Sequence, residues 1–214
     1  MNWSLNELEV EAKKAIRGAG LSWGLSEEGA KALRWFAAHG VDALPALQDI
    51  LARHDRHALA TQFDREAAGR WQAGKPICPI VLGSAICDFS NDLRSRPIIA
   101  GPVAQPMLLT AFVARAARSL KRALRLDLGD HAVVLSASSD PVAGLPVIAG
   151  NDRAEIRCEV SNAPLAGVRL ATTSGVSLEP ASMARLAAYG HRTYVPASER
   201  SRREGAGAGL IDND

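Results

Sequence analysis

Hydrophobic residues recur at helical spacing at the start of the chain. Ser4 and Glu7 have the spacing of a capping box, in which each side chain bonds to the other residue's backbone N–H. The apolar positions that follow, from Leu5 to Ile16, fall on one face of a helix. The pattern therefore predicts an amphipathic helix that begins after Ser4 and ends near Gly18.

Three further helices are predicted in the first third of the chain. Ser26 is expected to cap the second helix, which ends at His39-Gly40. Pro45 suits the first turn of the third, and a weaker pattern over residues 59–71 predicts the fourth. All four tryptophans lie in this part of the chain, so we expect it to close its own aromatic cluster or to dock on the remainder.

The pattern changes after Gly74, where short apolar or alternating runs predict strands. A helix is expected to begin at Pro106 and reach Leu120, and a last helix covers 179–190. The predicted strands are 77–82, 97–100, 124–128, 132–135, 154–160 and 168–171.

Strands and helices do not alternate strictly, so an α+β fold is expected rather than a doubly wound parallel sheet. An N-terminal helical segment, 1–72, would pack on a mixed or antiparallel sheet that carries one or two further helices. The body, 73–214, includes a glycine-rich C-terminal tail, and the 214 residues form one compact unit in this interpretation.

Composition excludes several classes. A net charge of +2 and an aromatic content of 5% do not suit a dedicated nucleic-acid module. The three cysteines match no zinc or redox spacing, which indicates a reduced, cytoplasmic compartment. The acidic N-terminal segment does not read as a signal peptide, and the uncharged stretch 97–114 contains three prolines, so no membrane partner is expected.

The C-terminal tail carries most of the candidate chemistry. Alternating glycines let backbone N–H groups approach an anion, with nearby arginines as clamps and terminal acids as acid or base. A flexible polar terminus is the alternative. The catalytic candidates here are Tyr194, Ser198, Glu199 and Asp212, and the ligand-binding candidates are Arg202, Gly205, Gly207 and Gly209.

Three stretches carry a family resemblance: 4–9 with 18–25, Gly101-Pro102-Val103, and 193–199 through 205–209. In these the chain resembles an uncharacterised, mainly alphaproteobacterial family of unknown function. The resemblance spans nearly the whole chain and implies no activity, fold or catalytic residues. It does imply that the glycine-rich end belongs to the domain.

A second candidate site follows the predicted strand 77–82. Cys87 and Asp88 offer a nucleophile and a base, although adjacent residues of an extended chain point to opposite sides. A buried structural role is favoured for Cys87, whereas Asp88 stays a catalytic candidate. His54 and His57, three residues apart, are expected to mark an exposed helix end rather than a metal site.

Basic residues repeat at helical spacing from Arg115 through Arg118 and Arg122 to Arg125. Three interpretations compete: a carboxylate- or phosphate-binding surface, a nucleic-acid stripe, and a solvated face balanced by acids elsewhere. The solvated face is favoured on overall charge, while Arg115 is kept as a ligand-binding candidate.

Two functional hypotheses follow. The first is a cytoplasmic enzyme, or enzyme subunit, that acts on a small carboxylate or amino acid. The second is a non-catalytic accessory or oligomerising module whose tail docks into a partner. Both expect a homo-oligomer or a partner subunit, and neither expects nucleic acid. The sequence identifies no cofactor and no metal.

Overall fold

The computed structural model describes residues 2–137, 141–142, 152–162 and 172–194. The helices are α1 (Leu5–Gly18), α2 (Trp23–Ala38), α3 (Leu44–Asp55), α4 (Pro79–Asp88), α5 (Leu109–Leu120) and α6 (Pro180–His191). The strands are β1 (Asn2–Ser4), β2 (Asp64–Arg65), β3 (Arg70–Gln72), β4 (Ile98–Ala104), β5 (Leu124–Leu128), β6 (His131–Leu135), β7 (Pro141–Val142), β8 (Arg153–Val160) and β9 (Gly175–Ser177). Short 3-10 helices cover Ser90–Arg94 and Pro106–Leu108.

These elements confirm the α+β class. Seven strands form one sheet in the order β2-β3-β4-β8-β5-β6-β7, and β1 pairs with β9 in a separate two-stranded sheet. β3 and β4 are parallel, and every other recorded strand pair is antiparallel, so the large sheet is mixed. The register between β4 and β8 shifts between Ala100 and Val103.

The molecule is layered. α5 packs on β5 and β6, α4 packs on β4 and α5, and α2 packs on both α4 and α5. α1 lies between α2 and α6. The buried side chains of all these elements form one hydrophobic core, since apolar faces of adjacent layers must cover one another. Along β5 the buried Leu124, Leu126 and Leu128 alternate with the more exposed Arg125 and Asp127.

The opposite face of the sheet is charged. Arg125, Asp127, Arg157 and Glu159 lie on neighbouring strands, with Arg125 opposite Glu159 and Asp127 opposite Arg157. Each arginine also bonds to the acid two residues further along its own strand, at 2.8 and 2.9 Å. These four residues are called the charged sheet face below. Within the described residues, no helix combines the length and the apolar character needed to cross a bilayer.

The helix starts were predicted with mixed success. The capping box of Ser4 and Glu7 is formed, and Leu8 and Ile16 of α1 are buried as expected. α2 begins earlier than predicted, because Ser22 is its N-cap and accepts a bond from the backbone N–H of Leu25. Ser26 was the wrong cap: its hydroxyl is buried and donates to the carbonyl of Ser22.

The predicted helix over 59–71 is wrong. This segment contains the antiparallel pair β2–β3, which turns at Gly69 with a φ of +87°. A Cβ at Gly69 would lie 2.4 Å from the carbonyl oxygen of Pro97, so glycine is required there. The indole of Trp71 stacks on Phe63 and meets Phe89 edge-on, and this packing outweighs the weak helical pattern.

The predicted strand 77–82 is also wrong, since Pro79 opens α4 instead. A continuous apolar run is compatible with a buried helix as well as with a buried strand. Burial between layers lets α4 be apolar around most of its surface, and Gly83 allows α5 to come close. A Cβ at Gly83 would lie only 2.4 Å from the Phe112 ring.

The remaining predictions of strands and helices are confirmed where the structure describes the chain. The predicted strands around 97–100, 124–128, 132–135 and 154–160 are β4, β5, β6 and β8, and the last helix is α6. Pro106 opens a 3-10 turn that leads into α5. The predicted strand 168–171 lies outside the described residues.

Candidate functional site

An open pocket of about 170 Å³ lies between α2 and α5. Helical spacing places its wall residues on facing sides of the two helices, since positions three and four apart share a face. We call it the α2–α5 pocket. Its lining residues are Glu28, Lys31, Ala32 and Trp35 from α2, and Ala111, Phe112, Ala114, Arg115 and Arg118 from α5.

The floor of the pocket is apolar. Ala111 and Ala114 are buried small residues that leave room between the helices. Phe112 is 2% exposed and is pressed against Gly83 of α4. The indole of Trp35 is half-buried, and its ring is held edge-on by Phe36 at 5.1 Å. The pocket therefore has an aromatic wall formed by Trp35 and a floor that includes Ala111 and Ala114.

The rim of the pocket is charged. Arg115 forms an ion pair with Glu28 across the gap between the helices. The second oxygen of Glu28 accepts from Lys31 Nζ at 3.0 Å. Arg118 is exposed and lines the same pocket one turn along α5. Three cations thus share the rim with one carboxylate.

Arg115 is also held by contacts with Cys87 and Phe112. Its Nε and Nη2 each lie 3.4 Å from the Sγ of Cys87, and that thiol donates to the carbonyl oxygen of Phe112 at 3.3 Å. The guanidinium also lies 5.5 Å from the centre of the Phe112 ring. An arginine held by several partners loses less conformational freedom when it binds an anion.

Two titratable groups of the cluster have shifted pKa values. Burial would raise the pKa of Glu28, but its bonds to Lys31 and Arg115 outweigh burial and lower it. Burial raises the pKa of the Cys87 thiol, and the neighbouring Arg115 opposes this only in part. At neutral pH the site therefore holds an ionised Glu28 and an unreactive thiol, because the thiolate is the nucleophile.

Arg115 is the predicted site residue that this pocket contains. Asp88 is exposed at the C-terminal end of α4, and Cys87 beside it is partly buried against α5. Tyr194 follows α6, with its ring edge-on to His191. Neither Asp88 nor Tyr194 is among the residues that line the α2–α5 pocket.

The other predicted site residues lie outside the described residues. They are Ser198, Glu199, Asp212, Arg202, Gly205, Gly207 and Gly209. The roles proposed for them from the sequence stay predictions.

The two neighbouring histidines are arranged differently from each other. His54 is half-buried at the end of α3, and its Nε2 lies 3.3 Å from the Sγ of Cys78. Burial lowers the pKa of His54 and raises the pKa of Cys78 to about 11. His57 is exposed in a left-handed conformation. Among the described residues, no group of three or more His, Cys, Asp or Glu side chains is placed to hold a metal ion.

The sequence interpretation missed the α2 wall of the pocket. Glu28, Lys31 and Trp35 have the i, i+3, i+7 spacing of one helix face, and this was the signal available. The balancing acid for Arg115 is Glu28, whereas Arg125 pairs with Asp127. One row of arginines in the sequence therefore belongs to two separate surfaces.

Comparison with known proteins gives a family match over part of the chain and no activity. Residues 3–78 match the family described as protein of unknown function (DUF3726), and this span includes the α2 wall of the pocket. No curated protein matches the chain. A solved structure, malate dehydrogenase from Entamoeba histolytica, is similar with a TM-score of 0.44 and 10% identity, over 63% of this chain. The match covers 43% of that enzyme's chain, and a similarity of this size establishes neither a shared fold nor a shared activity.

Proposed function

We propose that the protein binds a small organic carboxylate in the α2–α5 pocket and acts in small-molecule metabolism, as an enzyme or as the binding subunit of one. The observation that supports this is a rim of three cations above an apolar floor. Guanidinium groups bind carboxylates through paired hydrogen bonds, and apolar walls hold the rest of the ligand. A cytoplasmic location belongs to the same proposal, because free cysteines suit a reducing compartment.

The size of the pocket limits the ligand. Its volume of about 170 Å³ is below the roughly 300–1,000 Å³ of pockets that enclose drug-sized molecules. A compact carboxylate with one ring or one branched chain suits this space. The half-buried Trp35 and the buried Ala111 would contact that ring or chain.

The geometry supports binding more directly than it supports a reaction. The thiol of Cys87 is protonated and donates to a backbone carbonyl, so it is not positioned as an attacking group. Glu28 is ionised and forms ion pairs with both Lys31 and Arg115. Catalysis by this chain would therefore draw on residues beyond the pocket.

A matched pair of ligands tests the proposal. We expect 3-phenylpropanoate to bind with a Kd on the order of 1 mM, measured by NMR titration, and the neutral 3-phenylpropanamide to bind far more weakly. Arg115→Gln and Arg118→Gln should each weaken carboxylate binding roughly tenfold, since a charge-assisted hydrogen bond contributes about 1.5–3 kcal/mol.

Arg122→Gln is the matched control, because Arg122 is an exposed arginine that follows α5 and does not line the pocket. It should leave the affinity unchanged. Equal binding of acid and amide, or no binding of either, would contradict the proposal. Turnover of a metabolite panel by the purified protein then separates an enzyme from a binding subunit.

An accessory or oligomerising module is a second proposal, supported by exposed apolar side chains on α1 and α2. Trp23 is 53% exposed and Val10 is 50% exposed. Lys13 Nζ and Arg17 Cζ lie 5.7 and 5.4 Å from the centre of the Trp23 indole. Exposed tryptophans flanked by cations are typical of protein interfaces.

Light scattering on the wild type, on Trp23→Ser and on a chain lacking residues 205–214 tests this second proposal. Loss of assembly in either variant, with circular dichroism unchanged, would support a docking role. A wild type that stays monomeric at high concentration would count against self-association. Retained assembly with lost carboxylate binding in the truncated chain would instead place the tail in the ligand site.

A further inference from the structure

Both oxygens of Glu28 already accept a bond from a cation in the α2–α5 pocket. One oxygen accepts from Lys31 at 3.0 Å, and the other accepts from Arg115. Its side chain is only 25% exposed, so water competes weakly for these bonds. A ligand ammonium group at Glu28 would have to share this carboxylate with two cations that already bond to it.

The charge balance of the rim also disfavours an ammonium group. Lys31, Arg115 and Arg118 face a single acid, which leaves an excess of two positive charges around the pocket. No ion pair to Arg118 is found among the described residues, so this guanidinium is available to a ligand carboxylate. A positive charge on the ligand would be repelled by all three cations.

We propose that the α2–α5 pocket selects apolar carboxylates without an α-ammonium group and rejects the matching amino acids, with the excess positive charge of Lys31, Arg115 and Arg118 determining this specificity and Glu28 limiting the affinity. The inference rests on the proposed function and narrows its ligand class. The carboxylate binds between Arg118 and Arg115, and the apolar body lies on Trp35 and Ala111. Glu28 neutralises part of the rim, and both of its oxygens are already bonded to cations.

The test compares 3-phenylpropanoate with L-phenylalanine at neutral pH, since the two differ only in the α-ammonium group. We expect the wild type to prefer 3-phenylpropanoate by at least about tenfold, measured by NMR titration. Glu28→Gln should bind 3-phenylpropanoate several-fold more tightly, because Lys31 and Arg115 are then released to the ligand. Binding of phenylalanine should stay weak in this variant.

Glu27→Gln is the matched control. Glu27 is the adjacent acid of α2 and pairs with Lys13, away from the pocket. The same substitution there should leave both affinities unchanged. Circular dichroism and a thermal melt on each variant separate a binding change from a folding change.

The outcomes distinguish this inference from the proposed function. Equal binding of the two ligands, or tighter binding of phenylalanine that Glu28→Gln abolishes, would overturn the inference while leaving carboxylate binding in place. The second result would show that Glu28 accepts the ammonium group. Binding of neither ligand would overturn both the inference and the proposed function.

Discussion

The α2–α5 pocket and the charged sheet face both bring arginines and carboxylates together, and the two regions differ in charge balance and in packing. On the sheet each arginine bonds to the acid two residues along its strand. In the pocket three cations lie around Glu28, above an apolar floor that includes the buried Phe112. Balanced, solvated pairs satisfy one another, whereas an excess of one charge beside apolar surface leaves binding capacity for a ligand.

The largest expected effect is on the free energy of unfolding and tests the packing of Phe112 in the floor of the α2–α5 pocket. Phe112→Ala should destabilise the protein by about 3–5 kcal/mol, because Phe112 is fully buried between α4 and α5 and its removal leaves a cavity. Val134→Ala, at a half-buried position beside Arg125 on the sheet, should cost roughly 0.5 kcal/mol. Urea denaturation measures both free energies of unfolding. Similar losses for the two variants would remove the contrast between the regions.

A smaller effect tests the ion pairs. A double-mutant cycle on Glu28→Gln and Arg115→Gln should give a coupling energy of about 1 kcal/mol, since the pair is partly buried and Arg115 is held by Cys87. The cycle on Asp127→Asn and Arg125→Gln should give about 0.3 kcal/mol, because Arg125 is the more exposed arginine and the pair is solvated. Equal couplings would show that the contact of Arg115 with Cys87 does not strengthen the pocket pair.

The pH dependence of stability should also report on the ion pairs of Glu28. Its pKa is lower in the folded protein than its ordinary value of 4.5, so the unfolded state binds the proton first as pH falls. This stabilisation is complete above that ordinary value and is lost as pH falls through the folded pKa. The wild type should therefore lose about 0.5 kcal/mol more than Glu28→Gln between pH 6 and pH 3, after discounting for solvent screening. Parallel pH curves for the two proteins would argue against a stabilised carboxylate.

The smallest effect is expected from salt on the charged sheet face. Arg157→Gln should change stability by about 0.3 kcal/mol at low salt and by less at about 1 M salt, where the Debye length is roughly 3 Å. Thermal melts at the two salt concentrations make the comparison. A large or salt-insensitive loss would mean that the sheet pairs are better shielded than their exposure indicates.

Local signals in the sequence predicted much of the fold. The capping box of Ser4 and Glu7, and the alternation in β5 and β8, depend on neighbours within a few residues, so the pattern contains them. α4 was mistaken for a strand because burial on several sides removes the polar stripe that reveals a helix. The β2–β3 pair was missed because Trp71 gains its stability from Phe63 and Phe89.

The pocket was harder to predict, because its walls are far apart in the sequence. Arg115 was a candidate from the sequence and lines this pocket, but its partner Glu28 lies 87 positions earlier, on a helix whose face toward α5 is set by tertiary packing. Neither the charge row nor the helix pattern contains that distance. Asp88 was selected on the assumption of a strand end, and α4 places it on an exposed helix end instead.

Two glycines that do not line the pocket lie where α4 contacts the helices that form the pocket walls. Gly29 of α2 lies where a Cβ would come within 2.9 Å of Ile80, and Gly83 of α4 lies where a Cβ would meet Phe112 of α5. Helix α4 therefore supports both walls. A methyl group at Gly83 would meet the Phe112 ring and push α5 away from α4, whereas at Gly29 the flexible end of Ile80 can move aside. The affinity of the pocket can therefore be tuned from a position that no ligand touches.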